Sequence, residues 1–162
     1  MLLQFCQWLS ATALSISIAE SNWVFSIIET VHVLGTALMA GTIAVVDLRL
    51  LGIILKQESA SRVVNAVIPW TWTGLIIMFV SGALLFISEA EKSYGNWAFR
   101  LKLLLLLAAG LNALGFHRTV FRDVSKWDDA PVTPLSARLA GITSLFLWTA
   151  VIASGRAIAY LH

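Results

Sequence analysis

Four long apolar runs, each closed off by charged or turn-forming residues, leave this 162-residue chain little choice of architecture. They fall at about 23–55, 63–87, 97–121 and 135–161, and each exceeds the roughly 20 residues that a helix needs to cross hydrocarbon. Only 12% of the residues are charged and 59% are hydrophobic, with a mean hydropathy of +0.84; soluble domains carry about 25% charge. Four spans use up nearly all of the length, so residues 1–162 read as one membrane domain. The expected fold is all-α, a transmembrane four-helix bundle, antiparallel because the loops between successive spans are short.

Residues 1–20 contain no Lys or Arg and so lack the basic start of a secretory signal. At helical spacing Leu2, Leu3, Phe5, Cys6, Leu9, Ala13 and Ile16 share a face, with Gln4, Gln7, Ala11 and Ser15 opposite. That pattern predicts an interfacial amphipathic helix lying in the membrane plane, with a fifth span as the competing reading. Glu20, Ser21 and Asn22 supply a break and a helix cap before Trp23. Pro69, with Trp70 and Trp72 beside it, predicts a kink near an interface, and Pro131 and Pro134 mark 122–134 as loop. Gly141, Ser144, Ser154 and Gly155 in the last run let helices approach closely.

The charges say how the bundle sits and what it avoids. A net charge of +2 spread over span ends, with no basic face, excludes nucleic acid as a partner. Arg49, Lys56, Arg62, Arg118, Arg122, Lys126 and Arg138 gather on one side of a four-span chain, against Lys92, Arg100, Lys102 and Arg156 on the other. The positive-inside bias makes the first side cytoplasmic and puts both termini outside, in a bacterial inner membrane. The single cysteine, Cys6, excludes an intrachain disulfide and any cysteine-built metal cage. No nucleophile elbow, phosphate loop or H-E-x-x-H motif occurs, which leaves an oxidoreductase, a carrier or a subunit without a cofactor.

Candidate site residues fall into two clusters at two depths. In the first span Glu29, His32, Thr36, Met39 and Asp47 form one polar stripe at about 100° per residue, with Arg49 opposite. A stripe of this kind is costly against lipid and faces the bundle interior, where such groups are functional candidates. The outer cluster comprises Glu29, His32, Met78, Arg100, Lys102 and Arg156; the inner one comprises Asp47, Arg49, His117, Arg118 and Arg122. The two histidines lie too far apart along the helices to ligate one metal. His32 reads either as a metal or haem ligand or as a ring that bonds a neighbouring serine or threonine. Glu29, one turn earlier, reads as the acceptor for the other ring nitrogen or as the partner of Arg156 or Lys102. His117 reads as an interfacial residue or a second ligand, and Asp47 as the partner of Arg118 or Arg122. Trp8, Trp23, Trp97 and Trp127 suit an interfacial belt, with Trp70, Trp72 and Trp148 as candidate pocket walls.

These residues also resemble a known family. His32-x-x-Gly35, Gly41 nine residues after the histidine, and Arg49–Leu50 are similar to the HemJ protoporphyrinogen oxidases and the CopD-like membrane proteins. So is the run from Trp97 and Lys102 through a leucine-rich stretch to Phe116–His117–Arg118 and Arg122. The resemblance implies haem b bound through His32 with Lys102 as the second important residue, and a porphyrinogen, a quinol or a redox protein as partner. Its CopD side implies copper, for which His32, Met39 and Met78 offer a soft imidazole–thioether set. The chain departs from the HemJ pattern in a longer Lys102–His117 interval and in Asp47. Arg100, Lys102 and Arg156 are the candidates to hold haem propionates, and Ala109 and Ala113 to leave room for a flat ligand.

Overall fold

The computed structural model describes residues 1–128, 132–158 and 160, with the side chains of Leu2 and Asn22 left out. Pro131, His162 and the expected end of the last span at 161 lie outside the described residues. The order is α1 (Leu2–Ser10), α2 (Ala13–Glu20), α3 (Asn22–Leu50), α4 (Ala60–Ser88), α5 (Ala90–Gly95), α6 (Trp97–Arg118), a 3₁₀ segment at Phe121–Lys126, and α7 (Leu135–Ile158). Among the described residues α3, α4, α6 and α7 are long and apolar enough to cross a membrane.

The first 20 residues fold as two helices rather than one. Thr12 interrupts them: its hydroxyl donates to the Leu9 carbonyl at 2.7 Å and accepts the Ser15 N–H at 3.3 Å, capping α2. Helices of nine and eight residues are too short to span. They pack on α5 and α4 instead, α1 through Gln7 Nε2 donating to Glu91 at 3.3 Å. Ser15, expected on the polar outer face, is buried and donates to the Ile87 carbonyl at 2.9 Å.

Caps explain most of the remaining boundaries. Ser21 accepts the Val24 N–H at the start of α3. The helix stops at Leu50, short of the expected 55, because Gly52 takes φ +70°. Gly52 N–H then reaches the Arg49 carbonyl and Ile53 N–H the Leu48 carbonyl, each at 3.0 Å, the paired bonds of a Schellman ending. The apolar Ile53, Ile54 and Leu55 are therefore loop. Arg49 is buried and donates Nε to the Glu58 carbonyl at 2.7 Å, holding that loop against the bundle. α4 runs through Pro69 without a break. Residues expected as loop at 89–95 and after 121 form α5 and the 3₁₀ segment.

The spans pack in the spatial order α4–α3–α7–α6, every neighbour antiparallel. Their interior is small and polar while their outside is apolar. Leu104, Leu107 and Leu111 of α6 are exposed, whereas Ala98 and Ala109 of the same helix are buried. Trp70 and Trp72 also face outward, about 60% exposed, so they do not wall a pocket. Such a distribution suits hydrocarbon as solvent, because side chains as apolar as lipid gain little by leaving it and close backbone packing takes over as the adhesive. The protein is an integral membrane protein.

That packing is tightest between α3 and α4. A Cβ built on Gly74 would lie 2.7 Å from the Met39 amide nitrogen and 2.9 Å from the Gly35 carbonyl oxygen, and one on Gly35 would lie 2.6 Å from Ile77 Cγ2. Thr71 donates to Thr42 across the same seam at 2.8 Å. α7 meets α3 at Gly141, whose added Cβ would lie 3.2 Å from the Asp47 carbonyl oxygen. At this end Leu50, Ala60, Phe116 and Ala137 form a small core with Trp127 and Phe121 against it. Asp128 closes the loop end by accepting the Ser61 N–H at 2.9 Å and the Ser61 hydroxyl.

Two predictions follow from these contacts. Gly74→Ala forces backbone against backbone and is expected to cost about 1–3 kcal/mol, read as a lowered unfolding temperature in detergent. Gly110→Ala, with open space at its Cβ, is the control that leaves it unchanged. Partial burial disfavours ionised Asp128, but the Ser61 and Ala60 hydrogen bonds and the Arg49 charge outweigh that cost and hold its carboxyl below the ordinary value. A depressed folded value contributes stability that is present above the unfolded value of about 3.9 and lost as pH falls through the folded one. Asp128→Ala should therefore flatten the acid limb of a stability–pH curve below about pH 4.

Candidate functional site

The register of α3 against α4 decides what surrounds His32. With Gly35 on Ile77 and Met39 on Gly74, the imidazole one turn earlier is laid over Gly82, where an added Cβ would come within 3.0 Å of ring Cε1. Nδ1 lies 3.1 Å from the Met78 carbonyl oxygen and 3.0 Å from Ser81 Oγ. A carbonyl only accepts, so Nδ1 carries the proton, and in the neutral ring Nε2 is left with its lone pair. Ser81 donates its own proton to the Ile77 carbonyl and is thereby oriented to accept.

Lys102 comes to the same end of the bundle from α6. Its side chain lies along α7 at Gly155, where an added Cβ would sit 3.5 Å from Nζ and 3.8 Å from Cε. It is partly buried, and its ammonium is within electrostatic reach of the His32 ring. Among the described residues it makes no ion pair. Phe86, one turn beyond Gly82, stacks on Phe99, one turn before Lys102, with centroids 5.4 Å apart and planes at 9°. The pair bridges α4 and α6 just above the imidazole and the ammonium. Among the described residues this corner joins a half-buried imidazole and a half-buried ammonium, with no carboxylate paired to either.

Other expected site residues are placed elsewhere. Glu29 is exposed and pairs with neither Arg156 nor Lys102; the Met78 carbonyl and Ser81 take the role expected of it at the His32 ring. Residues three apart on a helix share a face only approximately, and here the seam falls between them. Arg100 is exposed and donates to the Tyr94 carbonyl at 2.8 and 3.2 Å, over the Tyr94 ring. Arg156 is exposed beside Tyr160, its guanidinium 3.3 Å from the phenol oxygen. Both guanidiniums turn back to the membrane surface, which is where a long charged side chain is best solvated. Met78 is buried and serves His32 through its backbone oxygen, and Met39 is fully buried against Gly74. Ala109 is buried but Ala113 is exposed, so the two do not jointly line a space.

At the opposite end His117 is exposed, its Nδ1 on the Ala113 carbonyl at 3.1 Å and its ring against Phe116 and Phe121. Asp47 pairs with neither Arg118 nor Arg122; it is buried beside Ser144 of α7. Among the described residues no group of three or more His, Cys, Asp or Glu could hold a metal ion. A groove of about 310 Å³ runs along the outside of the α3–α4 seam, lined by Ile27, Val31, Ile77, Val80 and Ser81 among others. The parts that sequence reasoning missed are the small ones: Ser81, Gly82 and Gly155 carry no chemistry alone, and only their spacing within apolar runs hints at close approach.

Four antiparallel spans with a polar corner buried at one end define a small polytopic membrane protein of the helix-bundle class. Residues 5–161 match DUF6644, a family of unknown function, and the chain belongs to that family. Neither the curated proteins nor the solved structures give a match.

The tautomer of His32 is directly measurable. Nitrogen NMR of histidine-labelled protein should show a neutral ring protonated at Nδ1 whose signal is missing from the His32→Ala protein, and Ser81→Ala should keep that form because the Met78 carbonyl remains. An Nε2-protonated His32 would contradict the geometry.

Proposed function

We propose that this protein is a b-haem protein of the membrane, passing electrons or oxidising a small apolar substrate of the quinol or porphyrinogen kind. The single observation that carries the reading is the state of His32: Nδ1 is held by a carbonyl and Nε2 has no partner among the described residues, the form in which imidazole serves as an axial ligand. The residues present fit the group. His32 would hold the iron, and Lys102, a half-buried ammonium with no ion pair among the described residues, would take a propionate. Phe86 and Phe99 offer apolar ring faces at the same level. When bound, haem supplies one-electron chemistry at this end of the bundle. The basic loops then face the cytoplasm and the haem end the outside, in a bacterial inner membrane with both termini outside. Arg100, Arg156, Glu29 and His117 are not part of this site.

A second reading has an observation of its own. The bonds from His32 to Met78 and Ser81 also pin α3 to α4, which is what a subunit without a cofactor needs from a buried histidine. Copper has less in its favour, since Met78 reaches the histidine through its backbone oxygen and Met39 is packed on Gly74.

An absorption spectrum and metal analysis of detergent-purified protein separate the three. The expected result is a Soret band, abolished by His32→Ala and unaffected by Glu29→Gln or His117→Ala. Lys102→Met should weaken haem retention tenfold or more, the equivalent of a charged hydrogen bond worth about 1.5–3 kcal/mol. Full haem content in the His32→Ala protein would overturn the assignment. Stoichiometric copper without a Soret band, or neither, would select the other readings.

A further inference from the structure

The seam between α3 and α7 holds a group that the His32 site does not use. Asp47 is 5% exposed, and its Oδ2 is buried with no hydrogen-bond partner among the described residues. The α7 backbone closes over it at Gly141, and Ser144, one turn further on, is its polar neighbour. Fifteen residues separate it from His32, about 22 Å along the helix axis.

A carboxylate enclosed in this way needs a positive charge beside it, or a proton. Among the described residues no cation pairs with Asp47. On α3 itself Arg49 donates to the Glu58 carbonyl and faces Asp128. On α4 Arg62 is exposed and paired with Glu58 at 2.8 Å. On α7 Arg138 is exposed, one turn before Gly141. A bare metal cation is poorly served too, since hard cations take about six oxygen ligands and the side chains here supply a carboxyl and one hydroxyl. We infer that Asp47 is a proton-binding site: its carboxyl, buried beside Ser144 with Oδ2 unpartnered among the described residues, holds a proton and exchanges it with the aqueous phase at the basic-loop end. The inference is independent of haem, because it uses no residue of the His32 corner. It adds a chargeable position on the bundle's cytoplasmic half, where proton uptake could accompany charge movement through the membrane.

Infrared spectroscopy of the full-length protein in nanodiscs tests it. The wild type at pH 7 should show a protonated-carboxyl C=O band that moves on transfer to D₂O and is missing from Asp47→Asn. That variant, neutral and of the same shape, should unfold within a few degrees of the wild type. Ser144→Ala removes the polar neighbour of the carboxyl and should shift the band, which keeps the test open even if Asp47→Asn fails to fold. Three results would overturn the inference: an intact band in Asp47→Asn, a band unmoved by Ser144→Ala, or no protonated-carboxyl band in the wild type at pH 7. Thermal stabilisation by Na⁺ that Asp47→Asn abolishes would overturn it in favour of a cation site.

Discussion

The backbone of α4 touches the backbone of α3 at Gly74, and the rest of the bundle is built outward from that contact. With Gly35, Met39 and Gly74 fixing the separation, Thr42 meets Thr71 on one side and His32 meets Gly82 on the other, all in one antiparallel register. Water would reward burying leucine here; lipid does not, so the seam is made by atoms that fit closely and by hydroxyls that bond across it. A larger residue at the crossing would separate the helices and take the carbonyl of Met78 away from the imidazole.

The same logic arranges the second pair. Gly141 brings α7 onto α3 at Asp47, and Gly155 gives the Lys102 side chain a channel along α7. His32, Asp47 and Lys102 therefore each lie where a glycine of a neighbouring helix allows close approach. The glycine makes the space, and the neighbouring serine or carbonyl supplies the polarity: Ser81 and Met78 for His32, Ser144 for Asp47. Guanidiniums behave differently. Arg100 and Arg156 find tyrosines at the surface, and Arg49 binds a loop carbonyl, so the long cations brace the ends of the bundle rather than fill it.

Function follows from where these groups are left. One end of the bundle encloses an imidazole and an ammonium beneath a stacked phenylalanine pair; the other encloses a lone carboxyl. This chain thus sets an imidazole and a carboxyl at opposite ends of α3. Their separation along a single rigid helix gives each end its own aqueous face.

The sequence by itself determined the four spans, their antiparallel order and the depth of His32 and Lys102, because hydrocarbon demands long uninterrupted apolar helices and helical rise converts position into depth. It also held the Ser21 cap, whereas the apolar residues up to Leu55 read as helix and the stop at Gly52 came from its positive φ in the folded chain. Partnership was decided only by the tertiary structure. Glu29 and His32 look like a pair in the sequence, yet the seam with α4 passes between them, leaving one exposed and the other bonded to Met78 and Ser81. Asp47 and its expected arginines lie at one depth but on different sides of α7. Periodicity gives the face and height of a side chain; which neighbour it meets depends on how two backbones cross, and here glycines and serines spread through apolar runs set that crossing.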